Sequence, residues 1–189
     1  GNNRHIYFKR PNFSGDGRYL FFLSDRTGSW QVYAYDLKQE RVRRLTDCTR
    51  NPGRPSVDQC RPLIYYTQEN TLHQLNTESL YERTVYTHVM LPGSQFLLMD
   101  LSRDGQYLGC MEIGPYDRAP DGPADFLRRF EARPLTRFWL LTADGARVWQ
   151  AHQEKRHLQH LLFCPTDPST LLYCYEGPWD RVEQRMWLM

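Results

Sequence analysis

The sequence predicts an all-β fold, a β-propeller of about four four-stranded blades with one short helical insertion. Three observations predict it. A turn that carries an aspartate and is followed by a short apolar run recurs four times, with spacings of 42, 46 and 63 residues between Asp16, Asp58, Asp104 and Asp167. The first three recurrences continue into a second hairpin, which gives the strand content and the period of a propeller blade. The third recurrence is longer than the others by about 20 residues, which indicates an insertion. A β-sandwich with irregular hairpins is the alternative.

The blades are predicted at about 1–50, 51–95, 96–152 and 153–189 of a single partial propeller domain that covers 1–189. The second hairpins join residues 31–37 to 42–46, 71–76 to 82–86, and 137–141 to 147–150. The last of these turns on Asp144-Gly145, and Asp-Gly between two apolar runs is a strong hairpin signal.

The insertion is predicted at 114–134. Pro123 suits the first turn of a helix, Pro134 would end it, and Phe126, Leu127 and Phe130 would then share one face. Propeller insertions often lie over one mouth of the central channel, where ligands bind, and a purely decorative surface insertion is the alternative.

Composition and charge exclude several classes of protein. The 24 basic residues nearly balance the 22 acidic ones, which argues against a nucleic-acid partner. The longest apolar runs, 19–23 and 138–141, are far shorter than the ~20 residues of a membrane span, so no membrane association is expected. Residues 1–4 have neither the basic start nor the apolar centre of a signal peptide.

The five cysteines are odd in number and scattered, and no C-x-x-C pair occurs. This pattern disfavours a metal finger or a disulfide framework, and it fits a reducing compartment, so a cytoplasmic protein is expected. Cys164 and Cys174 flank a turn and could face each other, but they are predicted to be buried free thiols. Phosphate-binding loops and the G-x-S-x-G elbow are absent, which disfavours nucleotide-dependent enzymes and serine hydrolases.

The chain ends within a strand-like run at 184–189. Four blades, the last of them incomplete, would leave open sheet edges. The sequence therefore predicts that the remaining blades of a larger propeller, or another chain, are needed to close the ring.

One segment resembles a known family. Residues 173–188 read Y-C-Y-E-G-P-W-D-R-V-E-Q-R-M-W-L, which resembles the signature C-H-E-G-P-H-D-x-V-x-x-R-M-W-L of the oligogalacturonate lyases. The segment 160–170 is similar to the family pattern G-H-P-x-F-R-P-x-D-x-S-T. Sparser matches occur at Ile6-Tyr7-Phe8, at Asp16-Gly17, and at 35–37 and 44–46.

The resemblance implies a seven-bladed propeller that cleaves short oligogalacturonates by β-elimination in pectin degradation. It also implies a divalent metal, typically Mn²⁺, held by histidines and a glutamine. Removal of the proton beside the uronate carboxylate builds an enediolate, whose charge a divalent cation stabilises. A histidine serves as the base in this family.

The family's functional residues carry over in part. His160 matches a metal-binding histidine, and the other metal ligands are expected outside this chain. Glu176, Asp180 and Arg185 are kept and, with Trp179, are the candidates for binding an acidic oligosaccharide. The two histidines of the H-E-G-P-H pattern are replaced by Tyr175 and Trp179. No histidine occurs near 111–116, where the base is expected, so the catalytic residue is unassigned.

The residues alone leave alternatives open. Arg185 either grips a uronate carboxylate or forms a salt bridge with Glu176, Asp180 or Glu183. Trp179 either stacks on a sugar ring or packs between blades. The remaining expectations concern histidines: His157 and His160 should face opposite sides of a strand, while His5, His73 and His88 should be surface or hydrogen-bonded residues. The competing function is a non-catalytic TolB-like or WD-repeat-like propeller that binds protein partners.

Overall fold

The structure, a computed structural model, describes residues 1–6, 11–120 and 122–189. Tyr7 and Phe8, which belong to the sparser family matches, and Asp121 of the insertion lie outside the described residues. The strands of the first two sheets are β1 (Asn3–His5), β2 (Tyr19–Ser24), β3 (Gln31–Asp36), β4 (Arg41–Arg44), β5 (Ser56–Val57), β6 (Leu63–Gln68), β7 (Thr71–Asn76) and β8 (Glu82–Thr87). Those of the last two are β9 (Gln95–Leu101), β10 (Tyr107–Ile113), β11 (Leu135–Thr142), β12 (Val148–Lys155), β13 (Leu158–Phe163), β14 (Leu171–Tyr175) and β15 (Met186–Leu188).

Each sheet is an antiparallel meander in which neighbours in the sheet are neighbours in the chain. The orders are β1-β2-β3-β4, β5-β6-β7-β8, β9-β10-β11-β12 and β13-β14-β15. The first strands of successive sheets lie side by side, since β5 contacts β9 and β9 contacts β13. This arrangement confirms the predicted propeller, with three four-stranded blades and a fourth that has three strands within the described residues.

The recurring aspartate has the same structural role in the first and third blades. Asp16 accepts hydrogen bonds from the Ser14 hydroxyl (2.5 Å) and the Arg18 amide (3.0 Å). Asp104 accepts the equivalent bonds from Ser102 (2.6 Å) and Gln106 (3.0 Å). The glycine after each of these aspartates has φ of +70°, a left-handed conformation that glycine adopts without strain. The repeat is therefore the turn that joins the first strand of a blade to the second.

The core lies between the blades, in three clusters of apolar side chains. Alternate residues of one strand enter opposite clusters. In β9, for example, Leu98 packs towards the second blade and Met99 towards the fourth, and in β11 Leu141 and Phe138 divide in the same way. The inner strands of the interior sheets, such as β6 and β10, are thus buried on both faces, whereas the outer strands β8 and β12 are partly exposed.

Helix α1 (Pro123–Ala132) connects β10 to β11, within the predicted insertion. Pro123 lies in its first turn, and Arg133 ends it in a left-handed conformation. Phe130 is 5% exposed, but Leu127 is 40% exposed, so the prediction that Leu127 shares the apolar face is wrong. The buried face runs through Asp125 instead, which accepts hydrogen bonds from Tyr116 and Arg129. In the part of the chain that the structure describes, no helix has the length and apolarity needed to cross a membrane.

The five cysteines are free thiols, with Cys48 and Cys110 buried, Cys164 and Cys174 half-buried and Cys60 exposed. Cys164 and Cys174 are thus free thiols as expected, but they are half-buried rather than buried. No disulfide joins Cys164 to Cys174, so their thiols remain separate.

A buried ionic network joins the second and third blades. The carboxylate of Glu112, which is 1% exposed, accepts hydrogen bonds from His88 Nε2 (3.1 Å), the Leu91 amide (3.0 Å) and Arg137 (3.3 Å). Burial alone would raise the pKa of Glu112, but the Leu91 amide and the His88 and Arg137 side chains together hold it below its ordinary value. His88 is therefore a buried, hydrogen-bonded residue rather than a surface one.

We expect Glu112→Ala to lower the free energy of unfolding by about 3–5 kcal/mol, because it leaves His88, Arg137 and a backbone amide buried without their anion. Urea unfolding followed by tryptophan fluorescence measures this change. Glu78→Ala, at an exposed turn, is the matched control and should change the stability by less than about 0.5 kcal/mol. Equal stabilities of the two variants would contradict the role given to the network.

Candidate functional site

The candidate residues come together at one end of the fourth blade. His160 lies in β13, Glu176 directly follows β14 and Arg185 directly precedes β15. Antiparallel pairing brings these points together, since the Tyr175 amide donates to the Arg185 carbonyl at 2.7 Å and the Glu176 amide to the His157 carbonyl at 2.8 Å. The site is therefore assembled by the strand register of a single sheet.

A β-bulge in β13 sets the direction of the His160 side chain. The pairing of β13 with β14 shifts register between Gln159 and Leu162, and His160 has φ of +56°. Leu158 and Leu161 both enter the core between the third and fourth blades, although they are an odd number of residues apart. A regular strand would send them to opposite faces, so the extra residue of the bulge is what reconciles them.

Glu176 lies between a histidine and an arginine. His160 Nε2 donates a hydrogen bond to one carboxylate oxygen at 3.0 Å, and Arg185 donates to the other at 2.9 Å. A second guanidinium nitrogen of Arg185 donates to the Gly177 carbonyl at 2.5 Å. Of the salt bridges considered for Arg185, the one with Glu176 is formed.

The environment of Glu176 strongly favours its ionised form. Its side chain is 16% exposed. The hydrogen bond from His160 is the main cause that lowers the pKa of Glu176 to about 2, against the opposing effect of burial, and the Cys174 thiol and the Arg185 charge add to it. Burial of the thiol, followed by the same carboxylate, raises the pKa of Cys174 to about 12, so this cysteine stays protonated.

Trp179 and Asp180 lie on the loop that follows Glu176. The Trp179 side chain is 84% exposed, so the expectation that it packs between blades is wrong. The Arg185 guanidinium lies 4.2 Å from the centre of its ring, in a cation–π arrangement. Asp180 is exposed, and among the described residues it forms no ion pair. The loop therefore presents an indole beside the Arg185 guanidinium and, at the next position, an exposed carboxylate.

His157 lies beneath this cluster and was not a candidate from the sequence. It is buried, its Nε2 accepts a hydrogen bond from the Gln159 amide at 3.0 Å, and its Nδ1 has no hydrogen-bond partner among the described residues. Burial, followed by the positive charge of Arg129, lowers the pKa of His157 to about 4. The prediction that His157 and His160 face opposite sides of a strand assumed a regular strand, whereas β13 has a bulge at His160. No turn residue such as glycine or asparagine marked the bulge in the sequence.

The insertion also contacts the site. The ring of Phe130 on α1 stacks on Tyr175 at 5.9 Å, and the Arg156 guanidinium lies 4.9 Å from the centre of the Tyr175 ring. A decorative surface insertion, the alternative left open by the sequence, does not describe α1. Its Phe126 and Phe130 are separated by four residues, a spacing that places them on one helix face.

The described residues do not form a metal site by themselves. Across 1–6, 11–120 and 122–189, no group of three or more His, Cys, Asp or Glu side chains is arranged to hold a metal ion. A catalytic zinc site, for comparison, has three protein ligands and a water or substrate in the fourth position. The Nε2 atom of His160 donates to Glu176, so metal binding through this atom would require that hydrogen bond to break.

Comparison with known proteins extends the resemblance to nearly the whole chain. The profile of the family described as oligogalacturonate lyase matches residues 2–189. The oligogalacturonide lyase of Pectobacterium atrosepticum is 27% identical over 192 residues, which cover 97% of this chain and 48% of that protein. The chain therefore spans about half the length of this relative.

Two solved structures have the same fold. An oligogalacturonate lyase in complex with manganese superposes with a TM-score of 0.83 at 24% identity, over 99% of this chain and 50% of that one. The oligogalacturonate lyase of Vibrio parahaemolyticus gives a TM-score of 0.84 at 24% identity, over 98% and 50% of the two chains.

We expect Glu176 to stabilise the fold in a pH-dependent manner. Its pKa is about 2 in the folded protein, so the stabilisation is complete above the unfolded-state value near 4.5 and is lost as the pH falls towards 2. Glu176→Gln should abolish about 2–3 kcal/mol of this pH-dependent change in the free energy of unfolding. Denaturant titrations of both proteins between pH 6 and pH 2 measure it, and parallel curves would contradict it.

We expect His157 to make the free energy of unfolding depend on pH as well, in a higher pH range than Glu176 does. Its folded pKa of about 4 lies below the unfolded value of 6.5, so only the unfolded chain takes up a proton between these values. Stability is therefore complete above pH 6.5 and falls by about 3 kcal/mol towards pH 4. His157→Phe should lose this slope, whereas His5→Gln, at an exposed position, should retain it. The same denaturant titrations distinguish the two variants.

Proposed function

Since the chain belongs to the oligogalacturonate lyase family, we propose that it forms part of an enzyme that cleaves oligogalacturonates by metal-assisted β-elimination in pectin degradation. The observation that carries this proposal is the cluster of Glu176, Arg185 and His160, held together on the segment that matches the family signature. The chain spans about half of its relatives, so the activity of the whole protein is part of the proposal.

We assign to Arg185 the binding of a uronate carboxylate. Its guanidinium uses one nitrogen for Glu176 and one for the Gly177 carbonyl, and a guanidinium carries five N–H groups. Fixed in this way, Arg185 loses little conformational entropy when a carboxylate binds. A second anion can bind beside Glu176 because both carboxylate oxygens of that glutamate already have a partner, His160 on one and Arg185 on the other.

Trp179 supplies the apolar face that a pyranose ring requires. Its indole is exposed and already lies against Arg185, so a sugar whose carboxylate binds Arg185 would be near the indole. Asp180 is placed on the same loop to accept hydrogen bonds from sugar hydroxyl groups. These two residues and Glu176 complete the proposed substrate-binding set.

The divalent metal, Mn²⁺ in one structural relative, is part of the proposal in a limited form. His160 would be the one ligand contributed by the described residues, and the others would come from outside 1–189. The described residues do not form a metal site by themselves. The roles assigned here to Arg185, Trp179 and Glu176 therefore rest on their contacts with one another and not on the metal.

Closure of the propeller is proposed to come from further blades of the same protein or from another chain. The fourth sheet has three strands among the described residues, and its edge strand β15 is exposed at Met186 and Leu188. An unpaired edge with apolar side chains is the kind of edge that native proteins cover. A cytoplasmic location is proposed too, and the five free thiols support it.

We expect the purified intact protein, supplied with Mn²⁺ and digalacturonate, to generate the ultraviolet absorbance of unsaturated uronates. Arg185→Ala should lower kcat/KM by roughly 10- to 100-fold, which is the contribution of one charge-assisted hydrogen bond. The kcat/KM of Arg185→Lys should lie between those of the wild type and Arg185→Ala. Arg147→Ala, at an exposed turn, is the control and should be unaffected. No absorbance growth with metal present would refute the lyase proposal.

A further inference from the structure

Helix α1 is seated on the fourth blade by two phenylalanines. The rings of Phe126 and His157 form a T-shaped pair with their centres 5.5 Å apart. The rings of Phe130 and Tyr175 are stacked with their centres 5.9 Å apart. These two contacts lie on adjacent strands, because Tyr175 pairs with Leu158, the residue after His157. The helix therefore covers the end of β14, where the loop that begins with Glu176 leaves the sheet.

Phe130 also lies directly against the backbone of that loop. A Cβ atom at Gly177 would lie 2.5 Å from two carbons of the Phe130 ring and 2.5 Å from a methyl group of Val182. Glycine is therefore required here by the close approach of the ring. The Gly177 carbonyl accepts a hydrogen bond from Arg185, so the ring of Phe130 is separated from the Arg185 guanidinium by a single residue.

The far side of the loop is joined to the same helix. The Arg181 guanidinium lies 4.7 Å from the centre of the Phe130 ring, and it donates a hydrogen bond to Glu131 at 3.1 Å. The helix in turn is fixed within the insertion, since Asp125 accepts hydrogen bonds from Tyr116 (3.0 Å) and Arg129 (2.9 Å). Phe130 thus connects helix α1 to both sides of the loop.

We propose that Phe130 is a positioning residue for the uronate site. Packed against Gly177, it holds the loop 176–183 in the conformation that aims Arg185 and Trp179 at the substrate. The substrate in this statement rests on the proposed function, whereas the position of the loop does not. A displacement of about 1 Å at a binding group is enough to cost a large factor in rate.

Three variants of the intact protein test the inference: Phe130→Ala, Phe130→Leu and Leu127→Ala, which removes an exposed side chain of the same helix. With digalacturonate, Phe130→Ala should raise KM at least roughly 10-fold, because the variant would misplace Arg185, the residue proposed to bind the substrate carboxylate. Phe130→Leu should restore most of the affinity and Leu127→Ala should match the wild type. A wild-type KM in active Phe130→Ala would overturn the proposal.

Hydrogen exchange provides a readout that needs no activity. Phe130→Ala should speed exchange of the Glu176 and Arg181 amides, which donate to His157 and Pro178, and leave β9 and β10 unchanged. Faster exchange throughout the chain, or none in the loop, would overturn the proposal. If the wild-type protein neither binds nor cleaves digalacturonate but the loop alone loosens in Phe130→Ala, the lyase proposal fails and the positioning of the loop stands.

Discussion

Packing between neighbouring blades is the constraint on which the rest of the structure depends. An interior sheet must supply apolar side chains to two cores at once, and alternate residues of β9 and β11 do so. Strand β13 meets the same demand with an irregular sequence, since Leu158 and Leu161 enter one core although they differ in parity. The bulge at His160 resolves this conflict. The geometry of the candidate site is thus a consequence of core packing, because the residue displaced by the bulge is the one that reaches Glu176.

Two carboxylates show how the fold manages buried charge. Glu112 sits wholly between blades and is satisfied by a histidine, an arginine and a backbone amide. Glu176 has a histidine and an arginine as well, but it lies at the end of a sheet and beside an exposed loop. Both have a pKa below the ordinary value, for the same physical reason. Position distinguishes them: the network of Glu112 lies inside the core and stabilises blade packing, whereas the pair of Glu176 and Arg185 lies beside an exposed loop, where we propose that a ligand carboxylate binds.

The sequence predicts the fold well because the blade repeat is determined by short segments of adjacent residues. The aspartate turns, the hairpins and the ends of α1 each depend on a few adjacent residues, so they can be recognised without tertiary information. Resemblance to a family also singled out Glu176, His160 and Arg185 as candidates, and the structure places their side chains together. The sequence could not tell which acid Arg185 would pair with, because Glu176, Asp180 and Glu183 all lie within nine residues of it and the acid that pairs, Glu176, is the most distant of them in sequence. His157 and Phe130 were missed as site residues since their relevance depends on how the insertion docks on a strand that follows it by more than 20 residues.

The two departures from the family signature have a structural explanation within this chain. Where the signature has its first histidine, Tyr175 provides a flat ring on which Phe130 of α1 stacks from one direction and Arg156 lies from another. Where it has its second, Trp179 provides the ring over which the Arg185 guanidinium lies. An aromatic ring at each position therefore replaces an imidazole with a surface that orders a neighbouring element, the helix in one case and the arginine in the other. The histidine functions lost at these positions must be supplied by other residues if the chemistry is that of the family. The ion pair of Glu176 and Arg185 is kept alongside both replacements, and Trp179 adds a ring contact to the arginine of that pair.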